Sequence, residues 1–224
     1  MLNRFARALV TRLLTPPARG LLALGISPDV VTLVGTLGVC AAALGFFPRG
    51  QFFWGSLVVT VFAFSDTVDG IMARTAQRSS RWGAFLDSTL DRLGDAAVFG
   101  GLVLFYAGHD DPSSRWATAL ALACLVLGSV VSYARARAEG LGLRADVGIA
   151  ERADRLVAVL LVTGLVGLRR LTGFGLPEGA MNVVLALLAL ASFVTVVQRM
   201  IVVRQQVLAE AAATAPATPG GAAR

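Results

Sequence analysis

The sequence predicts an all-α integral membrane protein, with six transmembrane helices and an N-terminal interfacial amphipathic helix. Three observations carry this. Of 224 residues, 56% are hydrophobic and only 15% charged; a typical soluble domain is about 25% charged, so a soluble globule of this length would expose far more charge. The mean hydropathy is positive, +0.72. The apolar residues are also gathered into six runs, each near the ~20 residues that cross a bilayer as a helix. The net charge is +6 and every basic residue is Arg. Because these arginines sit between apolar runs, they point to membrane topology and anionic ligands rather than to nucleic acid.

The elements follow in order. Residues 1–24 mix Arg4, Arg7 and Arg12 with Leu2, Phe5, Leu9 and Leu13 on other faces. This is too charged to span and reads as an interfacial helix, which Pro16 and Pro17 are expected to break. No uninterrupted apolar core with a small-residue cleavage site follows, so no removable signal peptide is expected. Six spans are predicted over 29–48, 52–73, 84–107, 115–138, 153–171 and 179–203. The segments FPRGQ, ARTAQRSSRWG, GHDDPSSR, AEGLGLRADVGIAER and RRLTGFGLPEG supply the turns between them. Residues 25–204 thus form one six-helix domain. Residues 205–224, ending in an Ala-, Pro-, Thr- and Gly-rich stretch without periodicity, are expected to be disordered.

Six spans put both termini on one side. Most arginines fall on that side, with Arg49, Arg115, Arg169 and Arg170 opposite and Arg92 within a span. The positive-inside rule makes the terminal side cytoplasmic. Abundant Gly and Ala along the spans permit close helix packing. Cys40 and Cys124 lie inside apolar runs and read as small buried hydrophobes rather than as a disulfide or metal ligands. His109, in the loop AGHDDPSSR, receives no role.

The stretch FSDTVDGIMARTAQRSSRWGAFLDSTLDRLGD places Asp66, Asp69, Asp87, Asp91 and Asp95 at the ends of two apolar runs. On a helix, Asp66 and Asp69 share one face, as do Asp87 and Asp91. Two helices joined by a short loop can bring these faces together. Four carboxylates in a small volume repel and need cations or protons. Hard divalent metals suit all-oxygen donors, and a two-metal site suits phosphoryl chemistry. Asp95, a turn further on, is either a solvated helix-end carboxylate or a helix-packing salt bridge with an Arg.

The full spacing is Asp66, two residues, Asp69, Gly70, two residues, Ala73, Arg74, eight residues, Gly83, three residues, Asp87, three residues, Asp91. It resembles, position for position, the signature of the CDP-alcohol phosphatidyltransferases. That resemblance implies a bacterial plasma-membrane enzyme that binds CDP-diacylglycerol and two divalent metals, Mg²⁺ or Mn²⁺, at the cytoplasmic boundary. An acceptor hydroxyl then attacks the phosphorus next to the lipid, and CMP leaves. By the same resemblance Asp66, Asp69, Asp87 and Asp91 are metal ligands, and Asp91 is also the general base. Gly70, Ala73 and Gly83 leave room for the nucleotide, and Arg74 pairs with the diphosphate. In SPDVVT, Asp29 and Thr32 stand at the cytoplasmic start of the first span. Asp29 is either a helix cap after Pro28 or, by resemblance, a neighbour of the CDP moiety.

The signature does not name the acceptor. Arg135, Arg137, Arg144, Arg152 and Arg155 cluster between Ser132 and Arg155, and Arg199 is embedded among apolar residues. Such arginines need anionic partners. For Arg144 the positive-inside bias suffices. The others suit a second phosphorylated substrate, because Arg forks bind phosphate bidentately. Through SPDVVT, SYARARAE, GIAERADR and VVQR, nearly the whole chain resembles the family's actinobacterial phosphatidylinositol phosphate synthase branch. That implies an inositol phosphate acceptor, 1D-myo-inositol 3-phosphate, bound by Ser132, Arg135, Arg137, Arg155 and Arg199, and a homodimer. Arg135 stands where a Lys is common in that branch. Arg152 is either part of this group or paired with Glu151 or Asp154. The alternatives are a phosphatidylglycerophosphate synthase using glycerol 3-phosphate, an intramembrane prenyltransferase, and a transporter whose Asp residues bind a coupling cation.

Overall fold

Ser27 opens the first strongly apolar helix: its side chain accepts from Val30 N, and Pro28 follows at the first helical position, where its missing N–H costs nothing. From this start the computed structural model, which describes residues 2–76, 80–149 and 151–214, is helical throughout, with no strand among those residues. The helices are α1 (Leu2–Ala23), α2 (Pro28–Phe46), α3 (Phe52–Ala63), α4 (Ser65–Thr75), α5 (Arg81–Ala107), α6 (Pro112–Glu139), α7 (Arg152–Thr172) and α8 (Gly179–Thr214). A short 3₁₀ turn, Phe47–Arg49, ends on Gly50 in the left-handed region and turns the chain from α2 into α3.

The central helix is α5, which packs between α2 and α6; α6 packs on α8, α3 on α7, and α1 on α4. Lipid tails are as apolar as leucine, so close packing rather than exclusion of water holds such helices together. Gly101 of α5 shows how: a Cβ there would sit 2.8 Å from the carbonyl oxygen of Ala43, so only glycine lets α5 approach α2. The core runs from Val39, Ala43 and Phe47 through Phe52, Val59, Val98 and Leu102 to Cys124, Val159 and Leu185. Cys124 is buried in it, Cys40 is half-buried, and both are free thiols.

Four stretches among the described residues are long and apolar enough to cross a membrane: Pro28–Arg49, Phe52–Thr75, Pro112–Glu139 and Gly179–Ala213. The two other predicted spans exist as helices, α5 and α7, but each carries charge. Asp87, Asp91, Arg92 and Asp95 lie in α5; Arg152, Asp154, Arg155, Arg169 and Arg170 lie in α7.

Three expectations need adjustment. Pro16 and Pro17 do not break the first helix; both lie inside α1. Tertiary packing overrides the local penalty, since Ala18 is buried against Ile71 and Met72 with Leu14, Leu21 and Leu22 around them. The faces expected for Arg4 and Arg7 fall outside the described side chains. The second predicted span is two helices, α3 and α4, joined at Phe64, whose backbone stays near helical values. The tail boundary at 204 is too early, because α8 continues to Thr214. Gln206 holds that extension to the α6–α7 connection, accepting from Arg144 N at 3.0 Å and donating to the Arg144 carbonyl at 2.6 Å, and QQVLAEAAA is a strong helix former. The rest of the expected disordered tail, residues 215–224, lies outside the described residues.

Candidate active site

The helix starts determine where the carboxylates meet. Ser80 caps α5 by accepting from Gly83 N at 2.9 Å, which fixes the first turn so that Asp87 and Asp91 follow on one face. The Thr32 hydroxyl of α2 lies 2.5 Å from Asp69 Oδ2 of α4 and 3.1 Å from the Pro28 carbonyl, with Thr32 and Asp69 both buried. Oxygens of Asp66, Asp69 and Asp87 lie within 4.8 Å of one another. Carboxylates this close repel one another unless a cation or proton lies between them, and an all-oxygen set of this kind fits a hard divalent cation.

These residues line a cavity of about 440 Å³ walled by Pro28, Asp29, Thr32, Asp66, Asp69, Gly70, Ala73, Ser80, Gly83, Ala84, Asp87, Asp91 and Arg152. Every predicted donor-site residue except Arg74 is in this wall. Arg74 lies beside it, with guanidinium nitrogens 3.7 and 3.8 Å from where a Cβ on Gly70 would sit. Asp29 does not cap α2, since Ser27 does; it faces the cavity, its Oδ1 3.5 Å from where a Cβ on Gly83 would be. An apolar groove of about 650 Å³ runs between α3 and α7 along Phe53, Leu57, Leu156, Leu160 and Leu168, and shares Asp66 and Arg152 with the polar cavity.

Arg152 is the residue whose role is least visible in the sequence. It pairs with neither Glu151 nor Asp154, which form the capping box that starts α7. Instead its Nη1 lies 3.1 Å from Asp66 and 2.8 Å from Asp91, and its Nε 3.1 Å from Asp95. Asp95 also meets Nη2 of the buried Arg155 at 3.4 Å. Of the two expectations for Asp95, the interhelical salt bridge holds. Asp91 has a weaker second partner in Arg92 at 3.5 Å.

The residues expected for the acceptor gather on α6, α7 and α8, beyond Arg152. Ser132 donates to the Gly128 carbonyl, and a Cβ on Gly128 would sit 3.2 Å from the Arg155 guanidinium carbon. Arg199, buried, donates to the carbonyls of Val131 at 2.5 Å and Val147 at 2.9 Å. Ser132, Arg155 and Arg199 therefore surround one turn of α6. Arg135, half exposed, pairs with Glu139 at 2.9 Å and Asp146 at 3.1 Å. Arg137 is exposed, two residues and so about 200° round the helix from Arg135. Among the described residues, Arg155 Nε and Nη1 are buried without a hydrogen-bond partner.

A helical membrane fold whose carboxylate cavity shares Asp66 and Arg152 with an apolar groove is suited to reaction at the phosphate of a lipid. Residues 25–149 match the family model for CDP-alcohol phosphatidyltransferases. The chain belongs to this family, and is a membrane transferase of phospholipid biosynthesis. It is 51% identical over 218 residues to the phosphatidylinositol phosphate synthase of Streptomyces avermitilis, covering 96% of this chain and 87% of that one. It is 49% identical over 208 residues to that of Cutibacterium acnes, covering 92% and 98%. Its fold resembles the crystal structure of Mycobacterium tuberculosis phosphatidylinositol phosphate synthase with CDP-DAG bound, at a TM-score of 0.79 and 41% identity, covering 95% of this chain and all of that one. The same enzyme in complex with manganese and citrate matches at 0.79 and 42%, covering 94% and 92%.

Proposed function

We propose that this chain is a phosphatidylinositol phosphate synthase, which transfers the phosphatidyl group of CDP-diacylglycerol to 1D-myo-inositol 3-phosphate and releases CMP. The observation that carries this is the shared wall of two cavities: Asp66 and Arg152 border both the polar cavity and the apolar groove. An amphiphile with its diphosphate in the first and its acyl chains in the second places its lipid-side phosphorus at that border. Relatives named for this activity support the choice of acceptor, as do two buried arginines, Arg155 and Arg199, around Ser132.

The chain's own groups divide the work. Ala73, Gly70 and Gly83 leave open the wall against which the cytidine lies, and Arg74 meets the diphosphate. Asp91 accepts the acceptor's hydroxyl proton; the hydroxyl oxygen bonds the lipid-side phosphorus as the bond to the bridging oxygen breaks, and CMP departs with the electron pair. Ser132, Arg135, Arg155 and Arg199 hold the acceptor phosphate so that its hydroxyl reaches that phosphorus, while Arg137 stands on another side of α6. Two Mg²⁺ ions, or Mn²⁺, held by Asp66, Asp69, Asp87 and Asp91 would neutralise charge on the diphosphate and ease loss of the hydroxyl proton.

In the membrane we place six spans, α2, the α3–α4 pair, α5, α6, α7 and α8, with α1 in the interface. At 27 and 21 residues, α5 and α7 measure about 40 and 31 Å, enough for a ~30 Å core. In α7 the charges lie in the first and last turns; in α5 they run from Arg81 to Asp95 along the half that meets the site, and residues 96–107 carry none. The site and both termini face the cytoplasm, and the small-residue faces accommodate a homodimer. The test is CMP release by purified protein: it should require CDP-diacylglycerol, inositol phosphate and a divalent cation together, and release in the absence of any acceptor would argue for hydrolysis instead.

A further inference from the structure

Asp95 is the carboxylate that the proposed chemistry leaves without a task, yet it is buried and makes two ion pairs. Its partner Arg152 is shared three ways. One nitrogen, Nη1, donates to Asp66 and Asp91, which belong to the proposed metal-ligand set; another, Nε, donates to Asp95, which does not. A guanidinium and a divalent cation compete for the same carboxylate oxygens. For Asp66 and Asp91 to turn to a cation, Arg152 has to give up two of its three carboxylates and remain in a site that is three-quarters enclosed, its side chain only 25% exposed. A buried guanidinium left without a counter-charge is costly.

We infer that Asp95 is a positioning residue for metal loading: it is the standing counter-ion of Arg152, and lets that guanidinium release Asp66 and Asp91 to a divalent cation. The geometry supports this division. Asp95 is one turn beyond Asp91 on α5, so Arg152 can keep its Nε bond while Nη1 disengages by a small rotation. Arg155, 1% exposed, closes the far side of Asp95 through Oδ2 and leaves Oδ1 to Arg152. Without Asp95, the carboxylates left to Arg152 among the described residues are the metal-binding Asp66 and Asp91, and it becomes a competitor for them. The inference rests on the metal role proposed above.

The test is Mn²⁺ binding alone, followed by the loss of the free-ion EPR signal with the full chain in detergent micelles and no substrate. Asp95→Asn should raise the Mn²⁺ dissociation constant by about tenfold, as loss of an outer partner of a metal site does, and Asp95→Glu should recover most of it. The discriminating arm is a double-mutant cycle. In an Arg152→Gln background, Asp95→Asn should have little effect, because the competitor is gone. An equal effect in both backgrounds would mean that Asp95 acts only as distant negative charge, and would overturn the inference. Should Asp95→Asn not fold, with Arg155 stranded, Arg152→Gln alone decides: it should bind Mn²⁺ several-fold more tightly, and unchanged or weaker binding would contradict the inference. No Mn²⁺ binding by the unaltered protein overturns both this inference and the metal role; binding with an unresponsive Asp95→Asn overturns this inference alone.

Discussion

The Thr32 hydroxyl lies 2.5 Å from Asp69 Oδ2, a link between α2 and α4 that spans 37 positions of sequence. Both residues are buried, so the bond holds one carboxylate of the site in a fixed orientation. Thr32→Val keeps the shape and removes the donor. A hydrogen bond to a charged group is worth about 1.5–3 kcal/mol, so kcat/KM for CDP-diacylglycerol should fall by roughly tenfold or more. Thr32→Ser should retain most activity. Steady-state CMP release with varied donor measures both.

Asp91→Asn keeps the size of the side chain and its contact with Arg152 but cannot take a proton. General-base removal typically costs about 10²–10⁴ in rate, and CMP release should fall in that range. Retained CMP release would contradict the assignment of the base. Metal-dependent flux without CMP would favour a transporter.

Ala73 lies in the wall of the polar cavity. Ala73→Leu fills space there without touching the arginines on α6 and α8. KM for CDP-diacylglycerol should rise by about tenfold, since the donor loses its contact surface, while KM for inositol phosphate stays near its original value. A parallel rise in both constants would place the nucleotide elsewhere.

Gly128 is the α6 position against which Arg155 lies; a Cβ there would come within 3.2 Å of the guanidinium. Gly128→Val should push Arg155 from its place and raise KM for the phosphorylated acceptor well above tenfold, with little change for the donor. Thermal unfolding in detergent identifies any variant whose defect is loss of fold, because Arg155 is buried and its displacement also costs packing.

Much of the donor site was legible in the sequence because its signal is local. Asp66 with Asp69, and Asp87 with Asp91, share helix faces at spacings of three and four, and the small residues between them lie on the same short segment. The apolar runs likewise located the helices, four of the stretches being long and apolar enough to cross a membrane, although the second run is two helices. What could not be read is tertiary. Arg152 meets Asp66 across 86 positions and Asp95 across 57, and nothing near Arg152 distinguishes that outcome from pairing with Glu151 or Asp154. The capping box that Glu151 and Asp154 form is seen only in the structure. Pro16 and Pro17 misled for a similar reason: their local penalty is set against the packing of Ala18 on Ile71 and Met72, which is invisible in a linear reading. The continuation of α8 was legible in principle from QQVLAEAAA, a good helix former that precedes the Pro- and Gly-rich end.

The acceptor is the central claim, and competition between acceptors tests it most directly. Purified protein is supplied with CDP-diacylglycerol, Mg²⁺ and equal concentrations of labelled 1D-myo-inositol 3-phosphate and glycerol 3-phosphate, and the lipid product is separated. Label should enter phosphatidylinositol phosphate, with a kcat/KM ratio of at least about a hundredfold over glycerol 3-phosphate, as a site built on hydrogen bonds to its substrate provides. Label entering lipid from glycerol 3-phosphate but not from inositol phosphate would contradict the proposal and make the chain a phosphatidylglycerophosphate synthase.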